Sequence, residues 1–262
     1  MPELPEVENE LLNFQTYALG QTILRAVVYE PRLIKRPSPS AFAKSLRGRQ
    51  MVDASRRGKY LIVTLDDGHA LILHFGMGGG LTLYQGKEYR PRFTRIDFVL
   101  ASGWMMAFTC PRNICRVMLT KQSSDVPAID VMGPEPLGSG FTFSYLKQQI
   151  ERSPRRQIKA LLMDQSRIAG IGNIYADEIL YLAGVRPDRI ASTLTEQEIK
   201  GIYRNTRLVL RRAIRTGGDP EFPPEFLVSR SGRGDGCGRC DTKIEKIKVG
   251  GRTSYFCPQC QR

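Results

Sequence analysis

KYLIVTLDDGHALILHF, residues 59–75, decides how the first half of this chain folds. Apolar and β-branched residues run into Asp66-Asp67-Gly68, a turn sequence, and out again into a second apolar run, which together spell a β-hairpin. The same texture spreads in both directions. TILRAVVYE (22–30) lies upstream, and LTLY (81–84), RIDFVLA (95–101), WMMAFTC (104–110) and RVML (116–119) follow. Many short strands broken by glycine-rich turns predict a β-sandwich or barrel. A helix precedes them: Pro5 suits a first helical position, Glu6 and Glu8 place acids in the first turn, and Val7, Leu11, Phe14 and Ala18 recur on one face.

The texture changes over residues 121–140, KQSSDVPAIDVMGPEPLGSG, which read as a turn-rich linker. Helical patterns follow over Phe143–Glu151, Gln157–Asp164, Ile174–Ala183 and Gln197–Arg215. A capping box, Thr195 with Glu198, announces the last of them. A Gly/Pro stretch over 217–224 closes the helical part, and there is no internal repeat.

Thirty-nine Lys and Arg against 26 Asp and Glu leave a formal charge of +13 and a pI near 9.7. That balance suits a polyanionic partner, and nucleic acid above an anionic membrane, because no strongly amphipathic basic helix stands alone. No apolar run reaches membrane-spanning length. The acidic N-terminus MPELPEVENE lacks the basic and apolar regions of a signal peptide, so a cytoplasmic, nucleoid-associated protein is expected.

Cys237-Gly-Arg-Cys240 and Cys257-Pro-Gln-Cys260 are two C-x-x-C pairs separated by sixteen residues. Four thiolates at about 2.3 Å make a closed tetrahedral zinc site, structural because it leaves no open coordination position. The segment between the pairs, TKIEKIKV–GG–RTSYF, reads as a hairpin turning at Gly250-Gly251. This tail is too short to bury a core, so one Zn2+ supplies its folding energy. Arg252 would project from the hairpin tip, either solvated or on a phosphate. Cys110 and Cys115, apart from these four, read as buried thiols.

Removal of Met1 would expose Pro2 as a free secondary amine beside a helix N-terminus, whose positive end disfavours protonation. Such an amine can attack a sugar C1′ and form a Schiff base. With Met1 retained, the Pro2 nitrogen would be an amide and no nucleophile. Glu3 and Glu6 flank it in sequence, and taken alone they are better read as a helix start with ordinary acidic capping.

Several blocks in order, MPELPEVE at the start, RRGKYL (56–61), HFGMGG (74–79), GPEPL (133–137), LLMDQSRIAGIGNIYADEIL (161–180) and GRTSYFCPQCQ (251–261), resemble the formamidopyrimidine-DNA glycosylase / endonuclease VIII family of base-excision repair enzymes. The resemblance implies an α+β multidomain protein. Its parts would be an N-terminal β-sandwich with a leading helix (1–125), a helix–two-turn–helix domain (126–222) and a C-terminal zinc-finger hairpin (223–262). It implies a monomer acting on damaged double-stranded DNA in the basic cleft between its parts.

By resemblance, Pro2 is the nucleophile, Glu3 the acid/base that protonates the opened sugar and later shuttles protons, and Glu6 a supporting carboxylate. Lys59 matches a lysine of β-elimination and phosphate contact. Arg252 matches the finger arginine that grips phosphate and is tied to δ-elimination. DNA contacts are implied for His74, Met77, Arg95, Arg112, Ile114, Arg155 and Asn173. Physical reasoning adds to the last: Gly170-Ile171-Gly172-Asn173 feeds a helix N-terminus, a ready phosphate site.

A flipped nucleotide leaves a gap that a wedge must fill. Met77 is present for this, but the family's Pro-Arg-Arg-Phe-Gly loop reads Pro111-Arg112-Asn113-Ile114-Cys115 here. Arg112 can still read the opposite base. Asn113 replaces a phosphate-binding arginine, and Ile114 replaces the aromatic wedge, which an apolar side chain can serve less well. Arg95 stands where the family usually has a histidine, and the stretch 217–236 is short where members that excise 8-oxoguanine carry a longer capping loop. These departures point to an oxidised-purine glycosylase and AP lyase with altered scope. They leave open a glycosylase for oxidised pyrimidines or other lesions, and a lesion sensor without turnover.

Overall fold

The computed structural model describes residues 2–86, 89–218, 222–231 and 236–262. Met1, whose removal matters to the Pro2 reading, and parts of the short 217–236 stretch lie outside the described residues. The chain divides into two compact units, one of Pro2 with residues 7–131 and one of residues 3–6 with 132–262. Helix α1 (Leu4–Tyr17) belongs to both, its first turn grouping with the second unit.

In the first unit the hairpin forms as its sequence demands. Strand β4 (Tyr60–Leu65) pairs antiparallel with β5 (Ala70–His74), with Ile62 opposite Ile72. With β1 (Thr22–Val28), β2 (Ile34–Arg36), β3 (Arg49–Arg57), β6 (Gly80–Tyr84), β7 (Thr94–Leu100), β8 (Met105–Thr109) and β9 (Arg116–Thr120) they form one ladder, ordered β2-β9-β5-β4-β3-β1-β7-β8-β6. Its halves join through a short β1–β3 pairing at Thr22 and Ile23. They fold over one core: Leu61, Val63, Leu71, Leu73 and Val117 from one half cluster with Ile96, Phe98, Met106 and Phe108 from the other. The sandwich is therefore a single bent sheet. Val7, Leu11, Phe14 and Ala18 of the leading helix side enter the same core.

Two strands and a helix between β1 and β4 are absent from the pattern read in sequence. Strand β3, RQMVDASRR, is mostly polar and carries a register shift between Met51 and Asp53, which hides its alternation. Helix α2 (Pro39–Leu46) is a single short helix capped by Ser38, whose hydroxyl accepts from the Ala41 N–H. Strand β2 is three residues long and pairs parallel with β9.

In the second unit, after the short α3 (Pro127–Asp130) that precedes it, run α4 (Phe143–Glu151), α5 (Ile158–Leu162), α6 (Asn173–Ala183), α7 (Glu196–Thr216) and α8 (Leu227–Ser231). The capping box forms: Thr195 Oγ1 accepts from the Glu198 N–H, and Glu198 Oε2 accepts from the Thr195 N–H. The helices bury Leu146, Ile158, Leu161, Tyr175, Ile179, Ile202, Val209 and Leu210 in one cluster. Strands β10 (Glu245–Val249) and β11 (Arg252–Phe256) make the expected hairpin, with Gly250 and Gly251 both at positive φ in its turn.

Candidate active site

Pro2 and Glu3 immediately precede α1 in the chain. Glu3 is almost fully buried, and its carboxylate caps another helix. Oε2 accepts from the backbone N–H of Gly172 at 2.7 Å and of Tyr175 at 3.3 Å, and Oε1 accepts from Ile174 at 2.9 Å. These are the first N–H groups of α6, which face the positive end of the helix dipole. Gly170, at φ +80°, turns the chain so that its carbonyl accepts from the Leu4 N–H, and a Cβ there would lie 2.7 Å from Leu4. The helix start that the sequence offers to a phosphate is thus held by Glu3 instead.

Glu6 is bound on both sides. Its Oε2 accepts from the Glu3 N–H at 2.7 Å, and its Oε1 accepts from the Tyr175 hydroxyl. It fixes the backbone of Glu3 from one side while α6 fixes the side chain from the other. Asn173 Nδ2 donates to the Thr253 carbonyl at 3.1 Å, tying α6 to the finger strand whose first residue is Arg252. Arg252 itself is exposed at the hairpin tip, and Arg155 lies exposed between α4 and α5.

The sequence reading missed Lys159. It is wholly buried, its Nζ 2.8 Å from Asp177 Oδ1 and 2.6 Å from Ser254 Oγ, so α5, α6 and β11 meet on one charge. Burial pushes Lys159 down and Asp177 up, while their mutual attraction opposes both shifts. A lysine inside the apolar run IKALL and an aspartate one helix later leave no sequence signal of their pairing.

In the first unit, Lys59 is buried in the turn just before β4. His74 at the end of β5 packs against Tyr60, with ring centroids 4.8 Å apart and planes tilted by 47°. Its Nδ1 accepts from the Gly76 N–H at 3.3 Å, which leaves the ring proton on Nε2. Burial, with Arg116 and Lys59 adding positive charge nearby, pulls His74 down to about 4, so the ring is a neutral donor near pH 7. Met77 and Ile114 are 37% and 49% exposed, and neither belongs to the core. Arg112 Nη1 lies 3.5 Å from Met77 Sδ, so the two predicted gap-filling segments meet. Arg95 Nε donates to the Cys110 carbonyl at 3.0 Å.

Cys110 and Cys115 are joined in a disulfide, which corrects their reading as free buried thiols. The four finger cysteines are unbridged. Their Sγ atoms all lie within 4.8 Å of one another, with Cys240–Cys260 at 3.3 Å and Cys237–Cys260 at 3.7 Å. Tetrahedral zinc with bonds of about 2.3 Å sets sulfurs about 3.8 Å apart, so the set fits one structural zinc ion. Among the described residues, no helix is long and apolar enough to cross a membrane.

Comparison with known proteins agrees along the whole chain. Residues 1–117 match the N-terminal domain of formamidopyrimidine-DNA glycosylase, residues 132–221 its H2TH domain, and residues 234–262 the zinc finger found in FPG and IleRS. Formamidopyrimidine-DNA glycosylase of Pelotomaculum thermopropionicum is 38% identical over 275 residues, covering 100% of this chain and 99% of that one. That of Geobacter metallireducens is 38% identical over 269 residues, with both chains covered in full. The Lactococcus lactis Fpg solved with abasic-site DNA superposes with a TM-score of 0.91 at 30% identity, covering 99% of each chain. A mutant of the same enzyme solved with Fapy-dG DNA superposes at 0.90 with 31% identity over both full chains. The chain belongs to the formamidopyrimidine-DNA glycosylase family.

Proposed function

We propose that this protein is a base-excision-repair DNA glycosylase with AP lyase activity, removing oxidised purines through a Schiff base on Pro2. The observation that carries this reading is the capture of Glu3, the residue beside the nucleophile, by three backbone N–H groups of α6. A carboxylate so buried and so oriented is set for proton transfer at one position rather than for solvation.

The reaction needs the damaged nucleotide out of the stack, at a cost of about a few kcal/mol. The unprotonated Pro2 nitrogen attacks C1′, and the base departs with the glycosidic electron pair and takes up a proton. Attack leaves the Pro2 nitrogen positively charged and still carrying its proton. The Glu3 carboxylate takes that proton up and passes it to the ring oxygen as the C1′–O bond breaks, leaving a cationic imine between Pro2 and C1′. Loss of a C2′ proton then expels the 3′ phosphate, with Lys59 near that phosphate, and a second elimination expels the 5′ phosphate with Arg252 against it. His74, Arg95, Arg155 and Asn173 hold phosphates, Met77 and Ile114 fill the vacated stack, and Arg112 reads the opposite base. Zinc holds the finger in shape and takes no part in the chemistry.

The domain limits proposed are 1–125, 126–222 and 223–262, in a monomer of the cytoplasm acting at the nucleoid. Asn113 and Ile114 favour a second reading, a glycosylase of wider scope that includes oxidised pyrimidines, since the loop lacks the family's second arginine and aromatic wedge. Incubating the protein with duplexes bearing oxidised purines, oxidised pyrimidines or an abasic site, with borohydride present, separates these readings. A crosslink lost in Pro2→Gly supports the enzyme, and the lesion that crosslinks fastest identifies its substrate. Tight lesion binding with no crosslink on any duplex would leave a sensor.

A further inference from the structure

Strand β8 ends at Thr109 and β9 begins at Arg116, so Cys110 and Cys115 stand as the two posts of the loop between them. Both posts are buried, whereas Pro111, Arg112, Asn113 and Ile114 are all exposed. The disulfide spans a sequence separation of five and closes these residues into a small ring. Few backbone conformations remain to so short a ring.

Two further features act on the same residues. Asn113 sits at φ +52°, a region that asparagine tolerates better than other non-glycine residues. The Phe75–Gly79 turn, which carries Met77, packs closely against the loop. A Cβ on Gly76 would lie 2.9 Å from the Ile114 and Cys115 backbone, and one on Gly79 would lie 2.8 Å from Cys115 Sγ. Loop and turn form one platform from which Met77, Arg112 and Ile114 project.

We propose that Cys110 and Cys115 are positioning residues whose disulfide pre-orders the DNA wedge, compensating for the missing aromatic side chain. The proposal rests on the reading of residues 111–114 as that wedge. A flexible loop must be ordered when it enters DNA, and a stapled one has met that entropy on folding. The bond forms by thiol–disulfide exchange with a small-molecule or protein disulfide. One cysteine thiolate attacks the partner disulfide and expels a thiolate, and the second cysteine then attacks the mixed disulfide and expels the other. Two cysteine thiols are oxidised with loss of two protons, and the partner is reduced to two thiols. Because both sulfurs are buried, exchange in the folded protein passes through local opening of the loop.

The test uses the full zinc-loaded protein, kept oxidised or treated with a dithiol, with zinc content followed throughout. Alkylation and peptide mapping distinguish the 110–115 pair from the finger cysteines. Binding is measured on a duplex carrying a tetrahydrofuran abasic analogue with 2-aminopurine next to it. The peptide should resist alkylation until reduced, and the oxidised protein should bind about three- to tenfold tighter than the reduced one. It should also give the greater 2-aminopurine unstacking signal, and Cys110→Ser/Cys115→Ser should behave like the reduced protein in both conditions. Free alkylation of both cysteines in folded protein never exposed to the dithiol overturns the proposal. So does equal binding by oxidised and double-serine proteins when Arg112→Ala and Ile114→Ala both weaken it. If Arg112→Ala and Ile114→Ala leave binding unchanged, the wedge reading itself falls and the staple with it.

Discussion

Glu3 Oε2 accepts a hydrogen bond from the backbone N–H of Gly172 at 2.7 Å, joining the residue just before α1 to a turn 169 residues away. The consequence is rigidity beside Pro2, the proposed nucleophile. A carboxylate with neither oxygen free to rotate presents its lone pairs in one arrangement, and any change at Glu3 disturbs α6 as well as the chemistry. Glu3→Gln puts an NH2 group against N–H donors that both carboxylate oxygens now satisfy. Base excision in single turnover is expected to fall about 10²- to 10³-fold. Borohydride trapping on DNA that already carries an abasic site should fall far less, because no base has to leave. Equal losses in both assays would remove Glu3 from the glycosylase step.

His74 supplies a prediction in pH. Its ring is held down to about 4 by burial, with Arg116 and Lys59 contributing, against about 6.5 when unfolded. A depressed folded value means that the unfolded chain binds the extra proton first. The stability present above pH 6.5 is therefore lost as pH falls toward 4, with a slope of at most about 1.4 kcal/mol per pH unit. Denaturant midpoints measured from pH 7 to pH 4 should drop in the wild type and drop less in His74→Gln. An imidazole NMR signal that titrates near 6.5 and disappears in that variant would contradict the assignment.

The strands and helices were legible because their periodicities are local. The hairpin at 59–75, the capping box at Thr195 and the glycine turn of the finger each carry their signal within a few residues, and the four finger cysteines carry theirs in spacing alone. The misses share a cause. The Glu3–α6 cap, the Lys159–Asp177 pair and the Cys110–Cys115 bond depend on what the fold brings together, and β3 hides its alternation under charge and a bulge. Glycine-rich sequence before α6 reads as an anion site whichever anion fills it. Only the fold reveals that the chain fills it with its own carboxylate.

The Lys159–Asp177 pair should behave as an unshared load. Both are buried, with Nζ and Oδ1 2.8 Å apart, so removing one partner strands the other's charge. Asp177→Asn is expected to destabilise the protein by about 3–5 kcal/mol, whereas Lys159→Met with Asp177→Leu should cost much less. Urea denaturation of the three proteins decides the matter. A double variant as unstable as the single would mean that packing around Ser254 and Thr253, rather than charge, sets the cost.

Zinc removal should act on the finger first. Cys237 and Cys257 pack with Tyr181 and Leu227 in a small cluster, far too few apolar groups to hold residues 236–262 without metal. A chelator is expected to release one zinc per chain and to abolish hydrogen-exchange protection over β10 and β11. Strands β4 and β5, buried in a separate core, should keep theirs. DNA binding should fall with the finger, since Arg252 loses the hairpin that presents it.

On the roles proposed above, Ile114 fills space and Arg112 reads an edge, so their contributions are separable. Ile114→Phe restores an aromatic face, and base–aromatic stacking is worth about 1–3 kcal/mol. Binding to an abasic-analogue duplex should therefore tighten about tenfold or more. The gain should be the same for every opposite base, because a stacked ring meets them all by their faces. Arg112→Ala should act differently, weakening binding unevenly across the four opposite bases, since hydrogen bonds to base edges are what it would lose. Excision rates measured on all four opposite bases with both variants separate the roles. A uniform loss in Arg112→Ala would reassign that arginine to the backbone, and a base-dependent gain in Ile114→Phe would mean that residue 114 takes part in reading the opposite strand.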